Sequence, residues 1–97
     1  MRHFFRTQLP PDVVLTEADA FFPTIALVVG ASAARERTYS GTLGTVTIAA
    51  RPEGGHYTFV QADTDQTGES RLDRNVKAFF VRLHRLADPQ HRLTASY

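Results

Sequence analysis

The sequence predicts one domain of the α+β class, in the order β-α-β(3–4)-α, with a mainly antiparallel sheet and two helices on one of its faces. Three observations lead there. Residues 45–51 and 56–63 are β-branched and aromatic runs joined by Pro52-Glu53-Gly54-Gly55, the signature of a hairpin. Residues 70–87 carry Leu72, Val76, Phe79, Phe80, Leu83 and Leu86 on one stripe at helical spacing. A chain of 97 residues has material for one hydrophobic core and not two, so 1–97 is read as a single domain.

The remaining elements follow in chain order. Residues 3–9 read as a strand that Pro10-Pro11 stops, since proline cannot donate to a sheet ladder. Residues 12–22 place Val14, Ala18, Phe21 and Phe22 on one helical face, and Pro23 ends that helix. Thr16 with Asp19 offers a capping pair for a shorter version of it. The apolar run 24–31 is read as a strand from its Ile and Val content and from flanking Pro23 and Gly30. Residues 32–36 suit a loop or a single helical turn, and 37–40 a short strand followed by a turn or bulge at Gly41 and Gly44. Ser70 and Asp73 form a capping box for the second helix, Pro89 lies past its end, and 91–97 is a last edge strand or a tail. The residues expected to hold the fold are Val14, Phe21, Phe22, Val46, Ile48, Leu72, Val76, Phe79 and Leu83.

This element order is similar to a half-repeat of the TATA-box-binding protein and, more loosely, to a shortened helix-grip domain. The resemblance lies in element order alone, so it implies a fold and carries no functional residue to this chain. The alternative is a ferredoxin-like arrangement, which would need 24–31 helical and the tail a strand.

Composition narrows function by exclusion. With 42% hydrophobic and 22% charged residues the chain has the make-up of a folded globular protein. The absence of cysteine excludes disulfides and thiolate zinc sites, and a reducing, cytoplasmic setting is expected. Residues 1–6 lack the apolar core of a signal peptide, and the longest apolar run, 25–31, is too short to cross a bilayer. A net charge of +1 exerts no global pull on nucleic acid or anionic lipid. Ten of the eleven basic residues are arginine, read as the codon bias of a GC-rich, bacterial genome.

The motifs offer little chemistry. Asp63-Thr64-Asp65-Gln66-Thr67-Gly68 begins like a calcium loop, but Arg74 stands where the twelfth-position glutamate belongs. His3, His56, His84 and His91 lack metal-ligand spacing, and neither a nucleophile elbow nor a phosphate-cradling glycine loop is present. His56 beside Tyr57 has no second group opposite it for acid-base work. The polar side of the second helix carries Arg71, Arg74, Arg82 and Arg85, candidate phosphate contacts.

One feature asks for an explanation. Successive strand residues point to opposite faces, so Phe4 and Phe5 must diverge, as must Phe59 and Val60, and 24–31 is apolar on both sides. Helices on one face cannot cover both. The expectation is a non-enzymatic binding or protein-interaction module that uses a second apolar sheet face, with Phe4, Tyr57 and Phe59 as its surface, and that works as a homodimer. No cofactor or metal is expected. The alternatives are a small enzyme or carrier with an apolar ligand between sheet and helices, and a nucleic-acid binder acting through the four arginines.

Overall fold

The structure is a computed structural model that describes residues 1–88; Pro89 and the segment 91–97 lie outside the described residues. Strand β1 (Arg2–Thr7) ends earlier than expected, where the Thr7 hydroxyl accepts the Leu9 amide at 3.2 Å and turns the chain toward Pro10. Helix α1 (Pro11–Phe21) opens on a proline, whose missing N–H is one of the donors a first turn leaves unused. Thr16 does not cap a shorter helix. It lies inside α1, and its hydroxyl donates to the Asp12 carbonyl at 2.8 Å.

The run 24–31 is split where the sequence reading made it one strand. A 3-10 turn over Phe22–Ile25 prolongs α1, and Ala26 ends it in the left-handed region with φ 64°. Leu27 is then buried, and only afterwards does β2 (Val28–Ala33) begin. Because 24–31 forms no α-helix, the ferredoxin-like alternative is not adopted. Residues 32–36 form no loop either: β2 passes through a two-residue turn at 34–35 into β3 (Glu36–Gly41). The hairpin of β4 (Gly44–Glu53) and β5 (Tyr57–Thr64) is as expected, and so is α2 (Arg71–Ala87), whose cap Ser70 accepts the Asp73 amide at 3.0 Å.

The five strands form one sheet in the order β1-β5-β4-β3-β2, and every neighbouring pair is antiparallel. A short turn at Thr42-Leu43 links β3 to β4, and Gly44 is required there. Its φ of 129° is hostile to other side chains, and a Cβ would come within 2.6 Å of Asp65 Oδ1. Helix α1 lies over β4, and α2 over β1 and β5. Both occupy the same face, because that face presents Phe5, Tyr39, Val46, Ile48, Ala50, Val60 and Ala62, which pack with the helical core residues.

Phe22 is the hub of the core. Its ring stacks on Tyr39 at 4.8 Å and meets Phe79 at 5.2 Å, so the turn after α1 is joined to the central sheet and to α2 by aromatic contact. The Tyr39 hydroxyl donates to Asp19 at 2.6 Å; burial first, and then that bond, push its phenol above the ordinary value. Eight of the nine expected core residues are fully buried, and Phe21 is partly so. Leu86 departs from the expected stripe and is 44% exposed. Replacing Phe79 by Ala is expected to cost ~3 to 5 kcal/mol in denaturant unfolding, the usual consequence of removing a buried phenyl ring. A loss below about 1 kcal/mol would contradict this core.

Candidate functional site

The two helices leave the other sheet face open. Strand register assigns to it Arg2, Phe4 and Arg6 of β1, then Tyr57, Phe59, Gln61 and Asp63 of β5. It adds Thr45, Thr47, Ala49, Arg51 and Glu53 of β4, and Thr38 and Ser40 of β3. Most of this face is polar. Thr38 and Thr47 hydroxyls lie 3.2 Å apart, Ser40 and Thr45 hydroxyls 3.1 Å apart, and Asp63 accepts from Arg2 at 2.7 Å and Gln61 at 2.8 Å. The broad apolar second face expected from the sequence is therefore corrected to two separate patches, the corner at Phe4 and Tyr57 and Val28 on edge strand β2.

That corner brings together the three aromatic residues singled out from the sequence. Phe4 and Phe59 rings meet at 5.3 Å, and Tyr57 stands two positions along β5 from Phe59. Phe59 is not an open contact surface, since only 7% of it reaches solvent. The Arg51 guanidinium lies 4.6 Å from its ring centre and that of Arg6 5.1 Å, so two cations and Phe4 cover it. Arg6 is in turn held by Glu53 at 2.5 Å. What remains accessible is Phe4 at 54% and, four positions along the β5 register, Tyr57 at 50%, two separate rings on either side of the covered Phe59.

Arg71, Arg74, Arg82 and Arg85 share one exposed side of α2, as the spacing required. Of the four, Arg82 is held by an ion pair. Arg82 donates to Glu17 at 2.9 Å and lies 6.0 Å from the Phe21 ring, while Glu69, ion-paired with Lys77, is close enough to Arg74 to feel its charge. The acidic loop is likewise committed internally: Asp63 to Arg2, and Asp65 to the Thr45 amide at 2.9 Å. Among the described residues no group of three or more His, Asp or Glu is arranged to hold a metal, and no helix is long and apolar enough to cross a membrane.

A polar cluster that the sequence reading missed sits at the junction of β1, β5 and α2. Asp73, expected only as a capping partner, is fully buried. Its Oδ1 accepts from Thr64 at 2.9 Å and lies 2.8 Å from His3 Nε2, and its Oδ2 accepts the Ser70 hydroxyl at 2.5 Å. Serine, histidine and aspartate thus meet, but in the wrong order for nucleophilic catalysis. The carboxylate stands between the other two, where a triad places the imidazole, so no imidazole is set to take the serine proton. The cluster is a structural pin. The Ser-x-x-Asp spacing announced its helix cap, whereas the contacts to His3 and Thr64 depend on tertiary packing that spacing cannot encode.

Several grooves open on the surface of the described residues. One, about 200 Å³, is bordered by Phe5, Arg6, Tyr57 and His84; the layer between sheet and helices is filled by the aromatic core. The sequence matches no known family model, and no curated protein matches it significantly.

Burial alone would raise the pKa of Asp73, but bonds from Ser70, His3 and Thr64 outweigh it and hold the carboxyl at about 2, against an ordinary 3.8. A carboxyl depressed in the folded state stabilises the protein above its unfolded pKa and loses that contribution as pH falls through the folded one. The loss between about pH 4 and pH 2 is expected to be about 2 kcal/mol in urea unfolding, and absent in Asp73→Asn. An identical acid slope in both proteins would contradict this role.

Proposed function

We propose that the protein is a non-enzymatic protein-interaction module that works as a homodimer and offers its open sheet face, at the Phe4–Tyr57 corner, to a partner. The observation that carries this reading is the two half-exposed rings, Phe4 and Tyr57, that flank the arginine-covered Phe59 on a face where hydroxyls and ion pairs predominate. Exposed aromatics next to arginine are the composition of interaction surfaces, where large rigid rings supply contact area and guanidinium groups supply directed bonds. The Arg6 and Arg51 groups over Phe59 can swing aside and uncover a third ring, which would enlarge the surface on contact.

The alternatives have less support. A carrier needs room between sheet and helices, and that layer is occupied by Phe22, Tyr39 and Phe79. A nucleic-acid binder acting through α2 needs a continuous cationic surface, and Arg82 is engaged by Glu17.

Two measurements test the proposal. Sedimentation equilibrium should show a dimer forming from low to high micromolar concentration. An apolar fluorescent dye should bind the folded protein, and the double variant Phe4→Ser, Tyr57→Ser should lose more than about half of that signal while keeping the wild-type circular dichroism, because neither ring belongs to the helix-covered core. Dye binding that the double variant leaves unchanged would remove the corner from the function.

A further inference from the structure

The two edges of the sheet are guarded very differently. Edge strand β1 carries Arg2, ion-paired with Asp63 of adjacent β5, and Arg6, ion-paired with Glu53 of β4 one strand further in. Charges on an edge deter another strand from adding to it. Edge strand β2, Val-Val-Gly-Ala-Ser-Ala, has no charge and no proline, and all six residues are exposed, Val28 by 70% and Val29 by 50%. Its main packing outside the sheet is with the 3-10 turn, since α1 and α2 lie over the other strands. Its one protective irregularity is the bulge at Gly30, and on either side of it backbone donors and acceptors lie open along an apolar strand, the setting for strand addition.

The strand is also complementary to itself. Its register with β3 places Val28, Ala31 and Ala33 on the open face and Val29 and Ser32 on the helix face, with Gly30 as the extra residue of a bulge. Antiparallel pairing about a two-fold axis at Ala31 sets Val28 opposite the partner's Ala33, Val29 opposite the partner's Ser32 and Ala31 opposite the partner's Ala31. Every pair then shares a face, each large side chain meets a small one, and no like charges oppose. We propose that β2 pairs with β2 of a second copy and joins the two sheets into one continuous antiparallel sheet of ten strands.

This assignment rests on the homodimer reading and specifies its seam. A seam six residues long spans about 20 Å and buries on the order of 800 Å² in total, below the range of stable specific interfaces and within that of weak, transient ones. The dimer is therefore expected to be micromolar and reversible. The two-fold axis places both helical layers on one side, and the open faces with their Phe4–Tyr57 corners on the other.

Charge placed at Ala31 tests the seam, because that residue would face its own copy and lies on an exposed edge where the monomer tolerates substitution. In sedimentation equilibrium on the full chain, Ala31→Lys and Ala31→Glu should each weaken self-association at least tenfold. An equimolar mixture of the two should restore it, and raised salt should partly rescue either alone. If both variants associate as tightly as wild type, or if their mixture stays monomeric, the seam is overturned while the homodimer reading stands. A wild-type protein that is monomeric at high micromolar concentration overturns both.

Discussion

Two helices cover one side of the sheet over β1, β5 and β4 and leave its other side to water, and the packing on each side answers to that asymmetry. On the covered side the answer is aromatic packing, with Phe22 at its centre and Tyr39 and Phe79 against it. On the open side it is local chemistry. Threonine and serine pair hydroxyls across β3 and β4, and the large apolar side chain Phe59 is covered by arginines and a neighbouring ring. Cation–ring contacts are worth only about 0.5 to 1 kcal/mol each at exposed sites, enough to hold a cover in place and too little to make it permanent.

The β1 end of the molecule is fastened by polar contacts. Asp73 gathers donors from α2's cap, from β5 and from β1, while the amino group of Met1 donates to the Thr64 and Gln66 carbonyls at 2.9 and 2.8 Å. Along β2 the one side-chain fastening among the described residues is at its end, where the Arg37 guanidinium donates to the Ala33 carbonyl. The strand's register with β3 slips at Gly30. One edge of the sheet is thus closed by charge and hydrogen bonding, and the other is open on either side of the Gly30 bulge.

Much of this was legible in the sequence, for physical reasons that differ by element. The β4–β5 hairpin and α2 announce themselves because their periods are clean and their punctuation, Gly54-Gly55 and Ser70, is strong. The opposed directions of Phe4 and Phe5, and of Phe59 and Val60, follow from strand geometry alone. The split of 24–31 into a turn and an edge strand was not legible, since short apolar runs have no diagnostic period and the left-handed Ala26 gives no residue signal. Nor was the covering of Phe59, because Arg6 and Arg51 reach it from two different strands. Counting apolar residues per face overstated the exposed area for this reason: an arginine stem can shield a ring as well as a leucine can.

The most direct test of the account is amide hydrogen exchange followed as a function of protein concentration. Protection along β2 should rise as concentration increases, while protection in β1, whose edge is already guarded, stays constant. Exchange in β2 that is fast and independent of concentration would contradict the claim that this open edge is where the molecule meets its own copy.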